Sequence, residues 1–327
     1  MDVRYVDGSG VHAHAFSEVD ALLTRTDGFV WVDVPSWDDD CELLLRETLK
    51  CHPRLIETCR TRNHVPAVHA YPAHMLVAMH VPLRGQAGHV HLLEIDQVVG
   101  RHYLVTVHGP LNPEVEPPEA LVETEGVLAR AASGRFHPSS PAEVSYALGS
   151  AIARRQRALI GSVAERLPAL EQQVMAPQFR EPEALLEDLF LIRHELTIGR
   201  TMAAQTHDVY ARICALDRFV PDSDRSYARD LADQFDRVRS VADGEAMFLH
   251  GVIELYQTRV NTKMTVAMER LAVIAAVTLP VTAIASVYGM NMIANSRTHY
   301  GELAVVLVVM LAMSAQLLRW ARRQGWW

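Results

Sequence analysis

Leu271 to Ser296 reads LAVIAAVTLPVTAIASVYGMNMIANS, a run without a charged residue. A membrane-spanning helix needs about 20 consecutive, mostly apolar residues, so this stretch predicts one. A second apolar run, Leu303 to Leu318, lies between Glu302 and Arg319 and is shorter. Snorkelling of Arg319 and an interfacial Trp320 extend it to spanning length. The connection between the two runs carries one basic residue, Arg297, whereas Lys263 and Arg270 flank the pair on one side and Arg319, Arg322 and Arg323 on the other. The positive-inside bias predicts a helical hairpin in the plasma (inner) membrane, with both chain termini in the cytoplasm.

Working back from this hairpin, no proline occurs between Pro221 and Pro280, and Leu231, Phe235, Val238, Ala242, Leu249, Val252 and Tyr256 recur at helical spacing. At a rise of about 1.5 Å per residue, an unbroken helix from Tyr227 to Met290 would be about 96 Å long, enough to run from a soluble part into the bilayer. Two further helical patterns, Pro141 to Pro177 and Glu181 to Asp217, precede it. The first part of the chain alternates short apolar runs with turn signals: Phe29 to Val34, Met75 to Val81, His91 to Val99 and Tyr103 to His108 read as strands, and Asp38 to Lys50 as a helix. Pro110, Pro113, Pro117 and Pro118 mark a connection. The fold expected is an α+β membrane protein. Its parts are a cytoplasmic α/β domain over 1–140, a helical stalk over 141–270, a first membrane helix over 271–291, an external loop over 292–302, a second membrane helix over 303–320 and a basic cytoplasmic tail over 321–327.

Charge follows the same division. From residue 261 onward six Lys or Arg face two acids, so with the whole chain at −8 residues 1–260 carry −12. An acidic soluble part argues against nucleic acid as a partner, because phosphate neutralisation needs the opposite sign, and suits a protein that handles cations in a lipid membrane. The four cysteines (Cys41, Cys51, Cys59 and Cys214) show no CxxC spacing and suggest a reducing compartment. The opening residues have no apolar core of a signal peptide.

Two helices cannot enclose a pore, so a transport reading requires an oligomer whose first membrane helices surround the path. Thr265, Met268, Leu271, Ala275, Leu279, Thr282 and Ser286 recur three or four apart and share one helix face. They are the candidate pore-lining positions. A small and hydroxylic stripe also serves helix packing, and the hydroxyls can bond back to their own helix. Pro280 removes one backbone bond, for which Thr278, Thr282 or neighbouring helices can compensate.

Directly after this face stands Tyr288-Gly289-Met290-Asn291, which resembles the Gly-Met-Asn signature of CorA-type magnesium channels. The likeness extends upstream through Asn261-Thr262-Lys263-Met264 and Leu279-Pro280-Val281-Thr282, and downstream to the basic tail Arg322-Arg323-Gln324-Gly325-Trp326-Trp327. Trp31-Val32-Asp33, His52-Pro53 with Glu57, and Tyr227-Ala228-Arg229-Asp230 are similar to stretches of the family's soluble part. The resemblance implies a CorA-like funnel: a homopentamer in which five first membrane helices line the pore and Gly289, Met290 and Asn291 form the selectivity motif at its outer mouth. Mg²⁺ dehydrates reluctantly, so a ring of neutral amide oxygens suits an ion that keeps its water, and Gly289 would supply the turn that aims them. The resemblance further implies gating by internal divalent ion, with Asp230 as the matching regulatory ligand. Asp233 and Glu254 on the same helix are further candidates, and Glu94 or Asp96 could supply the facing carboxylate from a neighbouring subunit.

Mg²⁺ is thus the expected substrate and regulatory ligand, with Co²⁺ and Ni²⁺ as further cargo. The connection after the motif contains only one acid, Glu302, and adds Arg297 and His299. Family members commonly carry a more acidic Met-Pro-Glu loop there. That departure and the 16 histidines, including His12/His14 and His89/His91, keep a Zn²⁺ transporter of the related ZntB type open. A membrane-anchored protein without transport activity is a second alternative. No GxGxxG, Walker, HExxH or GxSxG motif occurs, so the chain is not expected to be an enzyme.

Overall fold

The structure, a computed structural model, describes residues 1–110, 112–176, 182–216, 220–293 and 300–323. Among the described residues the strands are β1 (Asp2–Asp7), β2 (Gly10–His14), β3 (Gly28–Val34), β4 (Ala67–Ala70), β5 (His74–Arg84), β6 (Val90–Gly100) and β7 (Tyr103–Val107). They form one sheet in the order β2-β1-β3-β7-β6-β5-β4. Only the central β3–β7 pair is parallel. The helices are α1 (Val19–Leu23), α2 (Asp39–Leu43), α3 (Pro53–Arg60), α4 (Pro117–Ala132), α5 (Pro141–Ala164), α6 (Leu167–Met175), α7 (Pro182–Cys214), α8 (Asp222–Ile293) and α9 (Tyr300–Arg323).

Two compact units result, Met1–Gly251 and Val252–Trp327. In the first, alternate residues of each strand feed opposite faces of the sheet. Val30, Val32, Val34, Leu76, Val98, Val105 and Val107 pack with Cys41, Leu44, Leu55, Ile56 and Cys59 of the α2–α3 layer. On the other face Phe29, Trp31 and Leu104 meet Val127 of α4 and Val144 and Leu148 of α5. Val77, Met79 and Ile95 meet Ile152 of α5, Tyr210 of α7 and Phe235 of α8. Because both faces are covered, the central strands read as apolar runs rather than as a clean alternation.

The four strands expected from sequence correspond to β3, β5, β6 and β7. β1, β2 and β4 were not expected: β2 is GVHAH and β4 only AVHA, too short and too mixed to give a period-2 signal. The helix expected over Asp38 to Lys50 begins as α2, with Asp38 capping the Cys41 N–H at 2.7 Å, and continues as a π-helical turn over Leu44–Thr48. Two differences trace to proline. The pattern read from Pro141 to Pro177 divides into α5 and α6, since Pro168 in the first turn of α6 lacks an N–H and would clash inside a continuous helix. The proline-rich connection also contains the start of α4, because Pro117 and Pro118 occupy a first turn, where the missing N–H costs nothing.

Candidate ion path and regulatory carboxylates

α8 and α9 are both long and apolar enough to cross a membrane, with peak mean hydropathies of 1.9 and 2.0. In each, only 6% of the apolar window is buried. A core helix of a soluble protein can be as long and as apolar but is mostly buried, so the exposure here favours a lipid or helix–helix environment.

All seven candidate pore positions lie on α8 and are exposed in the single chain. Leu271 and Leu279 reach 66% and 67% exposure. The hydroxyls of Thr265 and Thr282 donate to the carbonyls of Asn261 at 3.0 Å and Thr278 at 2.8 Å. These threonines therefore satisfy their own protons on the helix and present acceptor lone pairs outward. Neither Thr278 nor Thr282 compensates for Pro280, which leaves the neighbouring helices named with them in that expectation. A proline at 280 leaves the Ala276 carbonyl without its partner, yet Thr278 donates to Ile274 and Thr282 to Thr278.

α8 does not end at the motif. Gly289, Met290 and Asn291 lie within its last turns, and the helix runs on to Ile293. The turn expected at Gly289 is absent: the residue keeps helical backbone, and a Cβ there would meet nothing within 4 Å. The connection expected over 292–302 is helical at 292–293 and at 300–302; residues 294–299 lie outside the described residues, as do 324–327 of the basic tail.

Asp230 is exposed on α8. Its Oδ2 accepts from the Tyr146 hydroxyl at 2.7 Å and from Gln234 Nε2 at 2.6 Å. Tyr146 belongs to α5 and rests its ring against Tyr227, centroids 5.1 Å apart, while Tyr227 donates to Glu143 at 3.0 Å. Gln234 was within reach of sequence reasoning, one helical turn from Asp230. Tyr146 was not, being 84 residues away. Asp233 is also exposed, one turn along, and Glu254, 24 residues further on along α8, is exposed as well.

The expectation that Glu94 or Asp96 faces another subunit is overturned. Asp96 is fully buried and Glu94 nearly so. They sit on the face of β6 beneath the α2–α3 layer, where Glu94 accepts from the Asn63 backbone and side-chain nitrogens at 2.8 Å each. Burial pushes the pKa of both carboxyls up, and for Asp96 the neighbouring Glu94 adds to the effect. The histidine pairs also fail to form a metal centre. His12 turns to Asp7 and His14 to Glu18. His89 and His91 approach to 4.8 Å between ring centroids. Among the described residues no group of three His, Cys, Asp or Glu can hold a metal ion within one chain.

Comparison with known proteins places this arrangement. A Bacillus subtilis (strain 168) protein assigned as a metal ion transporter, YfjQ, is 24% identical over 300 residues, covering 90% of this chain and 89% of that protein. The complete structure of the CorA magnesium transporter from Methanocaldococcus jannaschii superposes with a TM-score of 0.78 at 15% identity, over 100% of this chain and 99% of that one. The ZntB cytoplasmic domain from Vibrio parahaemolyticus RIMD 2210633 reaches a TM-score of 0.60 at 10% identity, over 81% of this chain and 98% of that one. The model of the family described as CorA-like Mg²⁺ transporter protein matches residues 26–323, and with two exposed apolar helices following an α/β domain, this chain belongs to the CorA family of metal ion transporters.

Proposed function

We propose that this chain is one subunit of a homopentameric channel that conducts Mg²⁺ through the plasma membrane and closes when internal divalent ion is plentiful. The observation that carries the reading is the face of α8. Its seven exposed positions run from Met268, Leu271, Ala275 and Leu279, which would form apolar constrictions, to Thr282 and Ser286 beside Gly289-Met290-Asn291. Apolar rings gate by dewetting, while neutral oxygen acceptors pass a hydrated ion without stripping it. No acid lies in the uncharged segment, so nothing there would hold the ion too tightly to release. Asp230 fits a regulatory role in a limited way: it is an exposed carboxylate with one oxygen already committed, and other ligands would come from water or a second copy.

The ZntB-type fold likeness means that the soluble part alone does not choose the ion. Ion flux does. In vesicles holding the purified full-length protein, Mg²⁺ uptake is expected to saturate and to persist without a proton gradient. Zn²⁺ at equal free concentration should carry less flux. Faster Zn²⁺ uptake that collapses with the proton gradient would replace the Mg²⁺ reading with a zinc transporter.

A further inference from the structure

Tyr146 and Gln234 treat Asp230 unequally at its two oxygens. Both donors meet Oδ2, at 2.7 and 2.6 Å, and Oδ1 takes neither bond. Gln234 is itself braced, its Nε2 lying 3.2 Å from the Ser150 hydroxyl of α5. Tyr146 is braced by its ring contact with Tyr227, one turn from Asp230 on α8. An exposed aspartate on a helix ordinarily samples several rotamers; this one is pinned from two helices.

We infer that Tyr146 and Gln234 are positioning residues that hold Asp230 as a one-oxygen ligand for a divalent cation. This rests on the regulatory reading of Asp230 and gives it a mechanism. Two donors on Oδ2 fix the plane of the carboxylate and occupy the oxygen that a two-point grip would use. The cation then meets Oδ1 alone and keeps most of its water. That geometry suits Mg²⁺, which demands near-ideal octahedral coordination, over a larger ion that accepts both carboxylate oxygens. Hydrogen bonds of this kind orient metal-ligating carboxylates, and their loss typically weakens metal affinity 10- to 100-fold.

Tyr146→Phe removes the donor and keeps the ring against Tyr227. Full-length protein in detergent would be titrated with MgCl₂ alone, reading the Mg²⁺ concentration that half-protects the soluble part from protease. Wild type, Y146F, Q234L, D230A and the double variant D230A/Y146F would be compared, with thermal midpoints taken in chelator. The inference predicts that Y146F and Q234L each raise the half-protecting concentration about tenfold. Y146F should add nothing to D230A, and the midpoints in chelator should stay level. If D230A shifts the titration but Y146F and Q234L do not, the positioning role is overturned while the regulatory reading stands. If D230A itself leaves the titration unchanged, the regulatory reading fails and this inference with it. A shift from Y146F that is equal with and without Asp230 would mark the tyrosine as structural and also overturn it.

Discussion

Asp96 carries a carboxyl into the layer between β6 and the α2–α3 helices, where it is fully buried beside Cys59 and Glu94. Desolvation raises its pKa well above the ordinary carboxylate value, and Glu94 raises it further. In the unfolded chain the group ionises near pH 4, so the folded state binds the extra proton. Stability from this residue is complete below that value and is lost as pH rises towards the folded pKa, by up to about 1.4 kcal/mol per pH unit. Asp96→Asn is neutral at every pH and should therefore gain on wild type as pH rises. Thermal unfolding at pH 5 and pH 8 checks this, and a constant difference between the two proteins would show that Asp96 is not held protonated. The position was not legible from sequence. In the run His91 to Val99 the polar residues at 94 and 96 imitate a solvent-facing edge, and only the tertiary layer above them makes the site dry. Asn291 is the opposite case, recognisable by its neighbours alone. As the proposed mouth ligand, Asn291→Ala deletes an acceptor without touching the apolar span, so assembly should survive while Mg²⁺ uptake falls to the level of empty vesicles. Undiminished uptake would leave Asn291 as a helix-end residue only.

The last turns of α8 raise a question that belongs to the element rather than to any one side chain. A glycine inside a helix costs roughly 0.5–1 kcal/mol relative to alanine, and Gly289 has neither a left-handed backbone nor a crowded Cβ position to justify it within the chain. Gly289→Ala should therefore leave helix content unchanged or slightly raise thermal stability. If the glycine exists because a neighbouring α8 or a hydrated ion passes close by, the same variant should lose most of its Mg²⁺ uptake. Normal uptake would mean that the glycine serves neither. The long helix itself was legible because its apolar residues keep one period without a proline from 222 to 279. Its end was not: glycine and asparagine are common stop signals, and here the helix passes through both. Proline was likewise ambiguous at the element level. Pro168 divides one expected helix into α5 and α6, whereas Pro117 opens α4 and Pro280 sits inside α8 without ending it. The same ring breaks, starts or is tolerated by a helix according to where its missing N–H falls.

Taken as a whole molecule, one chain is incomplete in two respects. Val305, Val308 and Leu311 of α9 and Leu271 and Leu279 of α8 stand mostly exposed, and two helices surround no path for an ion. Lipid can cover the first kind of surface but cannot supply the second requirement, which needs further copies arranged about an axis. Closed cyclic symmetry is the economical way to use one face of α8 repeatedly, and the resemblance to CorA channels sets the expected number at five. Such an assembly would bring five soluble parts together, each with −12 on residues 1–260. Like charges at close quarters oppose association at low ionic strength and are relieved by counterions. The soluble parts should accordingly pack more tightly as Mg²⁺ rises through the millimolar range, with a smaller response to monovalent salt at matched ionic strength, because a divalent ion bridges as well as screens. Native mass spectrometry in detergent is expected to give five times the 36.5 kDa chain mass, with or without Mg²⁺. Cross-linking confined to the soluble part should rise with Mg²⁺. A transporting species of one or two chains would remove the pentamer. A pentamer whose cross-linking follows ionic strength alone would keep the pore but leave the divalent ion no structural part in closing it.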